Sequence, residues 1–236
     1  MYGYGYRYNS GLVIGAGGGG TPFSNISSLS FDGVDDYLNV GNALNLGINS
    51  TISMWIKRGR VTTAEVFLSE DSYSFDYLMY VESNQKIYIR IGGVVKEFGS
   101  AAVVSIMNDT INWINIVIVR SGDSIELFLN GNSMGSNIGY GTLVNTRFDA
   151  IGAKFNGTFP TLGNIDEVCA FNRVATASEI VTLSTAPTVD LTSLNPIAWY
   201  RNGDGDTYPT ITDNGSGGNN GTMTNMDAGD IAPNTP

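Results

Sequence analysis

Three aspartates lie within residues 201–215, which read RNGDGDTYPTITDNG. Closely spaced carboxylates can bind calcium in an EF-hand loop, and a loop beginning at Asn202 would place Asp204, Asp206 and Asp213 at ligand positions. The sharp-turn position of that loop, which normally needs glycine, holds Thr207. The stretch therefore does not fit an EF-hand, and we interpret Asp204 and Asp206 as residues of a solvated turn.

The residue types that the chain lacks narrow the possible chemistry. The absence of histidine excludes Ser-His and Cys-His catalytic pairs and zinc sites built on imidazole. Cys169 is the single cysteine, so no intrachain disulfide can form, and we expect a buried, inert thiol. The formal net charge of -10 repels phosphate groups and anionic membranes, so nucleic acid is not an expected partner.

The elements that must position these residues follow a strand pattern. Between Asn25 and Phe171, short β-branched and aromatic runs recur about every ten residues between turn signals, as in a sandwich or barrel. Asn130-Gly131 is the strongest hairpin signal among them. Thr176 and Glu179 have the spacing of a capping box and precede an apolar face. The sequence therefore predicts an all-β protein with one short helix.

Residues 1–24 form a Gly/Tyr-rich arm before the strand region. Tyr2, Tyr4, Tyr6 and Tyr8 alternate with glycine or arginine, and in an extended strand they would share one face. The arm is either a disordered tail or a partner-binding segment, since tyrosine is enriched at interfaces. It lacks the basic start and long apolar run of a signal peptide, and no stretch approaches the ~20 apolar residues of a membrane helix. We therefore expect no membrane insertion.

Four segments occur in an order that resembles concanavalin A-like, laminin-G-like domains. They are SLSFDGVDDYLNVG, TISMWIKR, SIELFLNGN and GNIDEVCAFNRVATASEI, within about residues 25–183. The resemblance implies a jelly-roll sandwich of two antiparallel sheets.

The C-terminal segment resembles a displaced part of the same domain. AWYRNGDGD and TDNGSGGNNGTMTN look like the strand and loop that usually precede the FDGVDDY segment. The resemblance implies a circularly permuted order, which needs little rearrangement when the ends of a sandwich lie close together. We predict one domain over residues 25–236, completed by residues 196–226 and followed by a tail at 227–236. A second, truncated copy is the alternative, but too few residues remain to close another sandwich.

Some relatives with this fold are glycoside hydrolases, which place two carboxylates of one strand in the same cleft. The matching strand here holds Asp166 and Glu167 side by side, and adjacent residues of a strand point to opposite faces. We therefore predict that the protein is not an enzyme.

The resemblance also implies a calcium site, which in some relatives joins an aspartate of the displaced loop to an acid of the late strand. The matching metal ligands here are Asp213, Asn219 and Asp166. The alternative is an Asx turn at Asp213, in which the side chain accepts a backbone hydrogen bond. Asp35 and Asp36 are interpreted as turn and surface residues rather than ligands.

Sugar binding needs an exposed aromatic side chain with polar neighbours. The aromatic residues in or near loop-like stretches are Tyr73, Tyr77, Tyr80, Tyr140 and Phe159. Each also fits ordinary half-buried packing, so the sequence does not assign a sugar site.

The Gly/Tyr-rich start and the WYRNGDGD and TMTNM segments resemble structural proteins of tailed phages from marine bacteria. This resemblance implies a virion protein, made in the host cytoplasm, that decorates a capsid or belongs to a head fibre or tail. Its expected partners are other virion proteins and host-surface glycans, and we expect a homo-oligomer, specifically a trimer. A bacterial carbohydrate-binding or adhesion module is the alternative, and a glycoside hydrolase is the third possibility.

Overall fold

A computed structural model describes residues 23–70, 77–185 and 189–236 of the chain. Two antiparallel β-sheets dominate it, which confirms the predicted all-β jelly-roll class. The tyrosines of the proposed partner-binding arm lie outside the described residues. Within the described ranges, no helix has the length and apolar character needed to cross a membrane.

The described residues form sixteen strands. In chain order they are β1 (Ser28–Asp32), β2 (Tyr37–Gly47), β3 (Asn49–Arg58), β4 (Glu65–Ser69), β5 (Tyr77–Val81), β6 (Ile87–Ile91), β7 (Val94–Phe98), β8 (Ile114–Ser121), β9 (Ser124–Leu129), β10 (Asn132–Ile138), β11 (Thr146–Ile151), β12 (Leu162–Phe171), β13 (Ala198–Tyr200), β14 (Thr210–Ile211), β15 (Gly221–Thr224) and β16 (Ile231–Ala232).

The strands assemble into two layers around a common core. Sheet A has the order β10-β9-β8-β3-β12-β1-β16, with β13 also paired to β12, and sheet B has the order β14-β15-β2-β11-β4-β5-β6-β7. In β3, Ile52, Met54 and Ile56 belong to the core between the sheets. Ser53 and Trp55 alternate with them and therefore lie on the outer face of sheet A.

Two α-helices are present in the described residues, so the expectation of one short helix is corrected. The first, α1 (Ala101–Met107), begins at the N-cap Ser100, whose side chain accepts the N–H of Val103. The second, α2 (Ala177–Thr185), is the predicted one. Its capping box is confirmed, because the Thr176 N–H donates to Glu179 at 2.7 Å and the Glu179 N–H donates to the Thr176 hydroxyl at 3.3 Å.

Strands from the C-terminal segment enter both sheets. In sheet A, β13 pairs with β12, and in sheet B, β15 pairs with β2. β16 pairs with β1 through Ala232 opposite Ser28 and Ile231 opposite Leu29. Residues 227–236 are therefore not simply a tail, because their backbone completes one edge of sheet A.

A buried ion pair fastens α1 to the sandwich. The Arg58 Nε donates to Glu65 at 2.8 Å, and both side chains have 0% exposure. The same guanidinium donates to the Gln85 side chain and to the Met107 carbonyl at the end of α1. Glu65 also accepts hydrogen bonds from the Arg60 side chain and the Leu162 N–H, each at 3.0 Å. One carboxylate therefore joins β3, β4 and β12.

Candidate functional site

Asp213 organises the loop that was compared with a calcium loop. Its Oδ1 accepts the N–H groups of Trp199 and Gly215, each at 2.8 Å, and its Oδ2 accepts the N–H of Asn219 at 2.9 Å. The contact with Gly215 is the Asx turn that the sequence left as an alternative. The carboxylate thus fixes the loop to β13 with three backbone donors.

The proposed metal ligands do not share one set of contacts. The structure brings Asp213 and Asn219 together, whereas the carboxylate of Asp166 in β12 contacts the Asn25 amide at 2.9 Å and the Glu167 N–H at 2.8 Å. Calcium takes six to eight oxygen ligands, and both oxygens of Asp213 already accept backbone hydrogen bonds. This arrangement does not fit a calcium site shared by the three residues, and calcium binding by the protein stays a prediction.

A β-bulge in β12 places Asp166 and Glu167 on the same face. The register with β3 shifts between Asp166 and Cys169, and Glu167 has a φ of 46°. Ile165 and Val168 both belong to the core, so the two acids between them lie on the outer face of sheet A. The expectation that they point to opposite faces is wrong, because a bulge inserts one extra residue into the alternation.

The two acids of the bulge are hidden from solvent. Asp166 is 0% exposed and Glu167 is 4% exposed. Burial, followed by the charge of Glu167, raises the pKa of Asp166 to about 8. Burial also raises the pKa of Glu167 to about 7, although the Trp199 indole N–H donates to its carboxylate at 2.5 Å. A polysaccharide cannot contact carboxyls that are covered in this way.

Asp166 and three neighbouring side chains hold the first described residues of the chain against the sandwich. The Phe23 ring stacks on Trp199 with a centroid distance of 5.8 Å, and the Arg201 guanidinium lies 4.1 Å from the Phe23 centroid. Asp204 accepts the N–H groups of Ile26 at 3.0 Å and Ser27 at 3.1 Å. We call Asp166, Trp199, Arg201 and Asp204 the entry clamp. Asp204 is therefore a structural acceptor rather than a residue of a freely solvated turn.

Asp36 is buried, so its interpretation as a surface residue is wrong. The carboxylate oxygens of Asp32, Asp35 and Asp36 lie within 4.8 Å of one another. Asp36, interpreted as a surface residue, is only 2% exposed, and its Oδ2 accepts the Asp32 N–H at 2.8 Å. Burial raises the pKa of Asp36 to about 6. The buried Asp36 carboxylate therefore stabilises the turn between β1 and β2 through its hydrogen bond with the Asp32 backbone.

An aromatic patch lies on the outer face of sheet B. Tyr80 and Tyr88 stand opposite each other on β5 and β6, with ring centroids 5.2 Å apart and nearly parallel. Tyr77 lies 5.1 Å from Tyr80, and Phe159 makes an edge contact with Tyr77 at 5.6 Å. Met79, next to Tyr80, belongs to the core, so Tyr80 points outward. We call Tyr77, Tyr80, Tyr88 and Phe159 the aromatic patch.

Phe159 is the most accessible ring of the patch and has an unusual backbone. Its side chain is 46% exposed, and its φ is 53°. A bulky residue at positive φ is a genuine outlier that the surrounding structure must maintain. The Val66 N–H of β4 donates to the Phe159 carbonyl at 2.9 Å and holds the loop over the sheet.

Polar groups surround the rings. The Tyr88 hydroxyl accepts from the Asn84 amide at 2.8 Å and donates to Glu97 at 3.2 Å, and the Lys154 ammonium lies 5.2 Å from the Tyr77 centroid. Of the other aromatic residues named from sequence, Tyr140 is buried with 3% exposure, and Tyr73 lies outside the described residues. Tyr88 was not among those candidates, because it resembles an ordinary residue of strand KIYIRI.

The model for the concanavalin A-like lectin/glucanases superfamily, Laminin_G_3, matches residues 32–181. The chain belongs to this superfamily. A comparison of this concanavalin A-like domain with curated protein sequences gave no match.

Solved structures share the fold of this concanavalin A-like domain at low sequence identity. A candidate carbohydrate binding protein from Bacteroides ovatus has a TM-score of 0.64 and 15% identity, over 87% of this chain and 60% of that protein. A SAP-like pentraxin from Limulus polyphemus has a TM-score of 0.53 and 16% identity, over 69% and 83% of the two chains. The CBM40 of the Ruminococcus gnavus IT-sialidase, bound to α2,3-sialyllactose, has a TM-score of 0.50 and 12% identity, over 66% and 96%. The chain thus spans about three fifths of the Bacteroides protein.

Proposed function

We propose that the protein is a non-catalytic, lectin-like domain that binds glycans through the aromatic patch. The observation that carries the proposal is Phe159, an exposed ring held at positive φ and in contact with the tyrosines of the patch. Strained backbone of this kind persists where the fold maintains it and clusters at ligand sites.

The patch offers the two kinds of contact that a sugar needs. The exposed phenyl ring of Phe159 supplies apolar surface for the C–H face of a pyranose. The tyrosine hydroxyls, the Asn84 amide and the Glu97 carboxylate supply hydrogen-bonding groups beside it. The similarity in fold to a candidate carbohydrate binding protein and to a CBM40 bound to sialyllactose supports this assignment.

The non-catalytic part of the proposal is supported by the acids of the bulge. Hydrolysis requires two carboxyls that reach the scissile bond. Asp166 and Glu167 share a face, but both are buried, and they hold the Asn25 amide and the Trp199 indole of the same chain.

Glycan binding can be tested with an array of bacterial surface polysaccharides and of neutral and sialylated oligosaccharides. We expect Phe159→Ala and Tyr88→Ala to weaken the strongest interaction by about tenfold or more each. Tyr208→Ala is the matched control, because Tyr208 is 43% exposed and precedes β14 at the far edge of sheet B. Equal loss in the control, or full binding by both patch variants, would contradict the proposal.

We further propose that the domain is displayed on a phage particle, as a capsid decoration, head-fibre or tail protein, in a trimer. The support is the sequence resemblance of both ends of the chain to phage structural proteins. The aromatic patch would serve a bacterial carbohydrate-binding or adhesion module equally well. Mass spectrometry of purified virions from the source distinguishes the two settings, since only a virion protein co-purifies with the particle. Light scattering of the purified protein tests the trimer.

A further inference from the structure

A second surface with ligand-binding character lies at one end of the sandwich. It is an open groove of about 410 Å³ between the β2–β3 connection, the residue before β11 and the residue after β12. Four asparagines line it, namely Asn45, Asn49, Asn145 and Asn172. We call it the asparagine groove.

Two of these amides are oriented by the backbone. The Asn45 Oδ1 accepts the Gly47 N–H at 3.3 Å, and the Asn49 Oδ1 accepts the Gly122 N–H at 3.0 Å. Their carbonyl oxygens are therefore engaged, which leaves the NH₂ groups as donors for a ligand. Among the described residues, the side chains of Asn145 and Asn172 make no hydrogen bond to the protein. The groove thus offers both donors and acceptors.

A buried arginine fixes the walls of the groove. Arg120 is 2% exposed and donates to the Gly122 carbonyl at 3.0 Å and to the Gly141 carbonyl at 2.8 Å. It also donates to the Thr146 hydroxyl at 3.2 Å, which accepts from the Ser50 hydroxyl at 3.1 Å. Thr146 directly follows Asn145, and Ser50 directly follows Asn49. The network therefore fixes the backbone beside Asn145 and Asn49, which lowers the entropic cost of ordering these two residues around a ligand.

The lining selects the chemical class of the ligand. No charged side chain lines the groove, whose remaining surface comes from Leu46, Gly47 and Ile48. An ionic ligand would find no counter-charge there, whereas hydroxyl groups pair well with amides and a C–H face packs on isoleucine. We propose that the asparagine groove is a second glycan subsite that takes a neutral sugar unit. This inference rests on the proposed function for its ligand class, but not on the aromatic patch.

The test is a titration of ¹⁵N-labelled protein with mannotetraose, maltotetraose and cellotetraose, followed through the side-chain amide signals of asparagine. We expect one of these neutral sugars to shift the signals of groove asparagines at millimolar concentration. Asn145→Ala with Asn172→Ala should weaken that interaction by about tenfold or more without changing the melting temperature. Asn42→Ala is the matched control, because Asn42 is an exposed residue of β2 that does not line the groove.

The outcomes separate this inference from the proposed function. Groove shifts that persist in Phe159→Ala support the second subsite, whether or not the patch binds glycans. Unchanged groove signals with all three sugars, or full affinity in the Asn145/Asn172 double variant, would overturn the subsite. Binding that is lost only in the patch variants would also overturn it, while leaving the proposed function intact.

Discussion

At the scale of single residues, the acids of this protein are structural acceptors before they are candidates for chemistry. Asp213 accepts three backbone N–H groups, and Asp204 accepts two from the entering chain. Asp166 and Glu167 differ from them, because burial holds the pKa of each well above its ordinary value. Their protonation therefore couples to folding.

We expect the free energy of unfolding to fall as the pH rises from 5 to 8. The pKa of Asp166 is about 8 in the folded chain against an ordinary value of 3.8, and that of Glu167 is about 7 against an ordinary value of 4.5. The folded state thus holds protons that the unfolded state has released, so the stabilisation is complete below pH 4 and is lost as the pH rises through the folded values. The two shifts together correspond to a fall of about 6 kcal/mol between pH 5 and 8, measured by urea denaturation at several pH values.

Asp166→Asn is the informative comparison for this pH dependence. The amide cannot ionise, and the Asn25 side chain can turn to present its oxygen instead of its NH₂ group. We expect the variant to flatten the slope between pH 5 and 8. A variant with the slope of the natural protein would show that other groups cause the dependence.

The positive φ of Phe159 should make its replacement by glycine less costly to stability than its replacement by alanine. Phe159→Gly and Phe159→Ala both remove the exposed ring, and both should lose glycan binding. Only glycine accepts a φ of 53° without strain, so the Gly variant should be more stable than the Ala variant by about 1 kcal/mol. Chemical denaturation of the two variants measures this difference. An Ala variant as stable as the Gly variant would contradict the strain.

At the scale of elements, a buried carboxylate unites parts of the chain that are remote in sequence. Glu65 contacts Arg58, Arg60 and the Leu162 backbone, and Arg58 in turn reaches α1 through the Met107 carbonyl. Loss of this acid affects β3, β4, β12 and α1 together.

Glu65→Gln should lower the free energy of unfolding by about 3–5 kcal/mol, because it leaves the charge of Arg58 buried without its partner. Glu97→Gln is the matched control. Glu97 also forms an ion pair, with Lys86, but its side chain is 44% exposed and screened by solvent, so the change should have little effect on stability. Thermal or urea unfolding of both variants provides the comparison, and equal effects would argue against the network.

Local signals explain which elements could be predicted from sequence. The Asn130-Gly131 hairpin has the expected positive φ angles of 48° and 77°, and the Thr176–Glu179 capping box begins α2. Both depend only on neighbouring residues. In contrast, α1 is seven residues long, too short for a clear helical period.

The candidate site was predictable only in part, for a related reason. Tyr77, Tyr80 and Phe159 could be named as aromatic candidates, but a loop far along the chain must fold back before Phe159 meets Tyr77. The bulge at Glu167 has a positive φ without a glycine, so the sequence carries no local signal for it. The burial of the Glu167 side chain depends on Trp199 and Arg201 from another segment. Such sites depend on tertiary contacts that no short stretch encodes.

At the scale of the whole molecule, the first described residues are fixed by residues near the other end of the chain. Phe23 contacts Trp199 and Arg201, and β1 lies between β12 and β16. This closeness of the two ends is the geometry that a circularly permuted order requires. The permutation itself stays a prediction.

Two deletions separate the arm from the entry clamp. Removing residues 1–20 should keep the melting temperature within about 2 °C, because every described clamp contact begins at Phe23. Removing residues 1–27 should lower it by roughly 10 °C, since Asp166 and Asp204 lose partners and Trp199 becomes exposed. Calorimetry of both variants checks this, and a large loss in the shorter deletion would assign the arm to the fold. Under the proposal that the domain is displayed on a phage particle and attached through its arm, the deletion of residues 1–20 should also prevent assembly into that particle.

The order of contacts in the entry clamp has a mechanical consequence. Along the chain, Phe23 contacts Trp199, the Ser24 carbonyl accepts from Arg201 and Asn25 donates to Asp166, before Ile26 and Ser27 both donate to Asp204. Tension applied to the chain before Phe23 would therefore break these contacts in sequence instead of loading them together. Each of residues 23–27 that is released would lengthen the chain by at most about 3.5 Å. Only after all five are released would the force act on the hydrogen bonds of β1. A tethered domain of this design would lengthen under a brief pull and recover, with both sheets intact.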